Sequence, residues 1–124
     1  MEKEPLVIVD ARNVLRSRWP NLKESWFLER VRAWAERERV RALLVFDGPA
    51  PGGTLGSTPL DERTAVVGTG GQIADDWIAE HVPELAAREH AVWLVSSDRE
   101  LRDRVADHVE RAIGGGSFAG TLED

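Results

Sequence analysis

The sequence contains no cysteine, which removes disulfides, thiolate metal sites and a cysteine nucleophile at once. That absence fits a reducing cytoplasm, and a cytoplasmic location is expected. Lysine is almost missing too: Lys3 and Lys23 are the only two, so positive charge is carried by arginine, the better fork for phosphate. No apolar run approaches the ~20 residues of a membrane helix. The short, acidic opening Met1–Pro5 does not fit a secretory signal, and no membrane partner is expected. No internal repeat is visible.

Basic charge is also in deficit, with a net charge of −6. Nucleic-acid binders are usually basic, so the figure counts against one. Arg12, Arg16 and Arg18 nevertheless cluster just after the first apolar run, and a tight metal site would concentrate negative charge locally. With 42% hydrophobic and 31% charged residues over 124 positions, the composition is globular, and a single domain spanning 1–124 is expected.

Apolar runs and helical patterns alternate. "LVIV" at Leu6–Val9 does not alternate in polarity and reads as a strand buried on both faces. Trp26, Phe27, Val31, Trp34 and Ala35 recur at helical spacing over about Lys23–Arg39. Ala42–Phe46 is a second buried strand. A Gly/Pro-rich loop follows from Pro49 to Glu62. "TAVVG" is a third strand, and Gly71–Glu89 is a helix with Ile73, Trp77, Ile78, His81, Val82 and Leu85 on its apolar side. Pro83 is expected to kink or divide that helix. Ala91–Val95 is a fourth strand, Asp98–Val109 a helix, and "RAIGG" a short last strand. This order calls for an α/β fold, a three-layer α/β/α sandwich around a mainly parallel sheet of four to five strands with right-handed crossovers.

Ligands of open α/β sheets bind beyond the carboxyl ends of the strands. Asp10, Asp47 and Asp98 sit at three such ends, and Asp75 or Asp76 opens the helix after the third strand. Carboxylates converging on one rim repel each other and are costly to desolvate; a divalent cation removes the penalty. Oxygen ligands without His or Cys select a hard ion, Mg²⁺ or Mn²⁺. Taken singly, Asp10 and Asp47 are also good turn residues, and Asp75 also complements a helix dipole. Ser97 and Glu100 form a capping-box pattern that would free Asp98 from capping. At ~100° per residue, Asp75 falls within ~20° of Val82 on the buried flank, whereas Asp76 falls near Glu80 on the wet side; Asp75 is the better ligand.

Asn13 is a candidate to orient a ligand carboxylate or a phosphate, or else a helix cap. Arg12, Arg16, Arg18 and Arg99 are candidates for holding phosphate, and Trp19 for stacking a base. Trp26, Trp34, Trp77 and Trp93 occupy core-patterned positions. His81, His90 and His108 have no metal or triad spacing and are read as structural. "VDARN" lacks the second aspartate of haloacid-dehalogenase phosphatases and the D-x-S-x-S of von Willebrand A metal sites. A receiver domain would need a lysine at a late strand end. No G-x-x-x-x-G-K-[ST] loop exists, and "GTGGQ" lacks the rest of a dinucleotide fingerprint.

"VIVDARNVL", "LLVFDG", "GGQIADDWIAEHV" and "VWLVSSDRELRDRV" together resemble the PIN-like nucleases, in their NYN branch, most closely the YacP-like RNA endonucleases. The motifs are individually short, but they keep the family order from residue 6 to about 118. The resemblance implies a Mg²⁺- or Mn²⁺-dependent endoribonuclease acting on single-stranded or loop RNA. Asp10, Asp47, Asp75 and Asp98 would then be the catalytic, metal-binding set, with Asn13 in support and Arg12, Arg16 and Arg99 on the substrate. It also implies Phe118 as core beneath a Gly/Ser turn. Ala11 stands where the family usually has glycine. Ribosome association, a homodimer and an antitoxin-like partner are the partner expectations, and a non-catalytic PIN-like binding module is the alternative.

Overall fold

The structure is a computed structural model and describes residues 3–124. Strand β1 (Leu6–Asp10) is buried along its whole length and runs directly into a short helix, α1 (Ala11–Leu15). Ala11 is fully buried at the first helical position. Helix α2 (Glu24–Glu38) leads to β2 (Arg41–Phe46), then β3 (Gly56–Pro59) and β4 (Thr64–Gly68). Helix α3 (Ala74–Arg88), β5 (Val92–Val95), α4 (Arg99–Val105), β6 (Arg111–Ile113) and α5 (Gly115–Glu123) complete the chain.

The described strands form one sheet in the order β3-β4-β2-β1-β5-β6. All pairs are parallel except β3 against β4. A strand's side chains alternate between faces, and β1 divides accordingly. Val7 and Val9 face Phe27, Val31, Trp34 and Phe118 of α2 and α5. Leu6 and Ile8 face Ile78, Val82, Leu101 and Val105 of α3 and α4. Trp34 and Phe118 pack edge to face, with ring centres 4.9 Å apart. A central strand covered on both faces must be apolar throughout, which is why "LVIV" shows no polar alternation.

The mainly parallel α/β expectation holds, with differences in detail. The sheet has six described strands rather than four to five, because part of the Pro49–Glu62 loop is β3, hydrogen-bonded to β4. Its exposed, polar "GSTP" carries no hydrophobic period to announce it. Pro83 does not divide α3, which continues from Ala74 to Arg88. Pro83 is exposed, so water can take the bond that its missing N–H forgoes. The Gly71–Glu89 helix begins only at Ala74, leaving Ile73 56% exposed ahead of it. The helix expected over Asp98–Val109 is α4, which stops at Val105 and tightens into a 3₁₀ turn over Ala106–His108. "GGGSFAG" is the start of α5 rather than a turn, although Phe118 is core. Trp34 is buried, whereas Trp26, Trp77 and Trp93 are half-buried at the margins.

Candidate active site

Because β1 lies between β2 and β5, the ends of these three strands are neighbours. Asp10 ends β1, Asp47 follows β2, and "SSD" carries β5 to Asp98. Asp75 enters from the first turn of α3. All four aspartates line one cleft of about 430 Å³, together with Arg12, Asn13, Arg16, Ser17, Ile73 and Ser97.

Each carboxylate is held differently. Asp10 is 5% exposed, and its Oδ2 accepts from the Ser96 hydroxyl at 3.2 Å. The same Ser96 Oγ accepts from the Asp98 backbone N–H at 3.1 Å, so one buried serine ties two aspartates. Asp47 Oδ1 accepts from the Ala74 N–H at 2.6 Å and thereby caps α3 from another strand. Its Oδ2 lies 3.4 Å from Arg12 Nε. Asp98 is itself the cap of α4, accepting from the Leu101 N–H at 3.1 Å. The capping box expected from Ser97 and Glu100 does not form. Ser97 is drawn away instead, its N–H donating to Asn13 Oδ1 at 2.9 Å and its Oγ accepting from the Gly115 N–H at 2.8 Å. Asn13 therefore lies inside α1 and ties it to the Asp98 loop rather than capping a helix.

Electrostatically the cleft is under tension. Burial pushes the Asp10 carboxyl upward, against the Ser96 hydrogen bond, and the Asp47 charge adds to the rise. Asp75 is pushed up to about 7, first by desolvation and then by the Asp98 and Asp10 carboxyls it lies against. Asp98 moves the other way, because the Leu101 N–H stabilises its charged form. Among the described residues no group of three or more His, Cys, Asp or Glu side chains is already arranged around a single cation position. The carboxylates run from Asp10 to Asp75 to Asp98 as a chain of contacts rather than a closed cage. Their donor chemistry fits a hard dication, which would offset the burial and the like-charge repulsion that raise the Asp75 carboxyl.

Not every candidate reaches the cleft. Arg99 lines a different cavity, against α4 and β6, because the helix beginning at that position turns its side chain outward. Asp76 lies on the outer side of α3 and pairs with Arg104 at 2.9 Å. Arg18 turns to α5, bonding Gly116 O and Glu123. Trp19 is 92% exposed. His81 Nδ1 lies 2.7 Å from Trp77 O, and its ring stacks on that indole. A more apolar groove of similar size, lined by Leu6, Arg41, Trp77 and Leu85, opens at the amino ends of the strands, away from the aspartates. Ser96 and Ser17 are not among the sequence candidates, Ser97 reads there only as a helix cap and Ile73 only as part of an apolar stripe; for the two β5 serines the short hydroxyls of "SSD", flanking a strand-end aspartate, are the available signal.

The profile of the YacP-like NYN domain matches residues 7–111. The chain belongs to the YacP-like NYN family. Among solved structures it is similar to Rae1 (YacP) from Bacillus subtilis, with a TM-score of 0.68 at 17% identity over 99% of this chain and 74% of that one. A mutant form of the same Bacillus protein gives a TM-score of 0.72 at 16% identity over 96% and 75%. The T5 D15 protein co-crystallised with metal ions gives 0.60 at 17% identity, covering 88% of this chain and 55% of that one. At such identities the likeness is one of fold. No curated protein matches the chain. Among the described residues no helix is long and apolar enough to cross a membrane.

Proposed function

We propose that this YacP-like NYN chain is a metal-dependent endoribonuclease, working in the cytoplasm as one domain on RNA. The observation that carries the reading is the gathering of Asp10, Asp75 and Asp98, from three strand–helix junctions, and of Asp47, from the loop after β2, into one cleft. The T5 D15 protein, of like fold, was crystallised with metal ions, which favours the same use here.

Asp10, Asp75 and Asp98 would hold Mg²⁺ or Mn²⁺, with Asp47 beside them. Such an ion supplies Lewis-acid polarisation of a phosphoryl oxygen and acidifies water. The chain's own residues do the rest. Ser96 fixes the Asp10 carboxylate and the Asp98 backbone relative to each other. Asp47 aims the Arg12 guanidinium across the cleft, where it can fork a phosphate. Arg16 and Ser17 lie on the same wall. Asn13 fixes the loop that carries Asp98. Hydrolysis adds water across one P–O bond, leaving a phosphomonoester on one fragment and a hydroxyl on the other.

The test is cleavage of single-stranded RNA in Mn²⁺ or Mg²⁺ by wild type, Asp10→Asn and Asp98→Asn. The reading expects both variants to lose at least about 100-fold in rate, the upper end for losing a supporting partner of a metal site. Equal cutting by all three proteins defeats it. A second reading, a non-catalytic PIN-like module binding RNA or protein, is favoured by the open arrangement of the carboxylates. Calorimetry separates the two: no uptake of Mg²⁺ or Mn²⁺ at millimolar concentration selects the module.

A further inference from the structure

Among the described residues the large apolar side chains left standing in water are Trp19, Leu55 and Ile73. The last two, 66% and 56% exposed, meet one turn at the rim of the acidic cleft. Ile73 lines the cleft itself, together with Asp47 and Asp75. Leu55 lies over Gly70, where an added Cβ would come within 3.9 Å of its side chain. The turn that joins them is tied to the Asp47 loop, since the Gly70 N–H donates to Gly48 O at 3.1 Å. Asp47 in turn holds the far end of the turn through the Ala74 N–H.

A lone exposed leucine needs no explanation; one presented by a fixed turn does. Ala50 is 3% exposed, its N–H donates to Thr54 O at 2.8 Å, and the Gly53 N–H donates to Ala50 O at 2.9 Å. The same turn presses on β4 at Gly68, where a Cβ would overlap the Thr54 oxygen. The Gly/Pro-rich segment is therefore closed on itself, and it offers Leu55 ready placed, which lowers the ordering cost of binding. Gly71 keeps the ground between the two side chains open, for a Cβ there would meet nothing. The polar side chains of the turn are already engaged. Thr69 Oγ1 accepts from the Gly48 N–H and donates to Gln72 O, and Gln72 Nε2 donates to Glu80 at 2.8 Å.

We infer that Leu55 and Ile73 form a platform for the face of one unpaired nucleobase, beside the phosphate held in the cleft. The inference rests on the nuclease reading for the choice of ligand. Ile73 borders both places, so a base laid on the platform hangs from the same backbone whose phosphate lies at the aspartates. With its own polar groups engaged, the turn meets a base by its flat face rather than by its hydrogen-bonding edge, a contact that tolerates any sequence. In a chain of net charge −6, such an apolar contact adds affinity that salt does not screen.

The test is fluorescence anisotropy of a labelled single-stranded RNA about 8 nucleotides long, against the same strand made of abasic ribose units. Both are titrated in Ca²⁺ across a salt series, with strand integrity checked on a gel. Wild type is expected to bind the intact strand roughly tenfold more tightly, the worth of about 55 Å² of apolar surface removed from water. Leu55→Ser/Ile73→Ser should bind the two strands alike, with the salt slope of wild type, because no phosphate contact is lost. Leu55→Phe should keep the preference for bases. Thermal melts check folding; should the pair fail to fold, Leu55→Ser alone is expected to cut the preference about threefold, half of the apolar contact. A wild type that cuts RNA in Mn²⁺ yet binds intact and abasic strands alike overturns the platform and leaves the nuclease reading standing. A serine pair that prefers bases as strongly as wild type also overturns it. A wild type that binds neither strand ends both readings. A preference for bases that the serine pair abolishes, in a protein that cuts nothing in Mn²⁺, sustains the platform while ending the nuclease reading.

Discussion

Asp10 and Ser96, 86 positions apart in sequence, meet at 3.2 Å inside the sheet edge, with the serine fully buried and the aspartate 5% exposed. A buried carboxylate that loses such a donor pays a desolvation penalty of roughly 1–3 kcal/mol. Ser96→Ala is therefore expected to lower the urea midpoint at pH 8 by that amount of stability. It should also slow RNA cleavage, because the Asp98 N–H loses its acceptor in the same step. An unchanged midpoint contradicts the role given to this serine.

Asp75 sets a pH dependence whose sign is fixed. Its carboxyl is raised from 3.8 to about 7 by burial and by the facing Asp98 and Asp10 carboxyls. The folded protein thus holds the proton more tightly than the unfolded chain. The resulting stabilisation is fully present below the unfolded value near 4 and is lost as pH rises through about 7. Without divalent metal, Asp75→Asn should raise the melting temperature at pH 8 and change it little at pH 4. Metal binding runs in the opposite sense, since the ligand must be deprotonated. Mn²⁺ affinity of the wild type should weaken below pH 7, as followed by calorimetry from pH 6 to 8.

Gly115 lies so close to Asn13 that an added Cβ would overlap the Asn13 Oδ1. Gly115→Ala should break the Asn13–Ser97 hydrogen bond and cost on the order of 1–3 kcal/mol, as overpacking does. Asn13→Ala removes the obstacle. Urea melts of the double variant should therefore fall short of the sum of the single losses, because the residues share one contact.

Asp47 has two duties that substitution separates. Its Oδ1 caps α3 through the Ala74 N–H, and losing such a cap typically costs ~1 kcal/mol. Asp47→Ala should lose both that stability and cleavage activity. Asp47→Asn keeps an acceptor oxygen, so it should retain most of the stability while still lowering activity. Equal melting temperatures for the two variants contradict the capping role.

The layers were legible because each buried strand is an unbroken apolar run and each long helix has a stripe. The rim was legible because Asp10 and Asp47 follow such runs directly and Asp98 follows one after two serines. What the sequence hid depended on three-dimensional partners. Strand β3 is polar and owes its form to hydrogen bonds with β4. The "SSDRE" pattern suggested Ser97 as the cap, but Asn13 and Gly115 claim Ser97, and Asp98 takes over. Arg99 looked like a site residue because it adjoins Asp98 in sequence, yet the start of α4 carries it to another cavity. Pro83 sits on the wet side of α3, a placement that blunts its effect.

The most direct measurement is the anomalous difference density of a crystal soaked in Mn²⁺. The account predicts a peak in the cleft, coordinated by carboxylate oxygens of Asp10, Asp75 and Asp98, that disappears in Asp10→Asn. A cleft that stays empty at millimolar Mn²⁺, or a peak bound elsewhere, contradicts it.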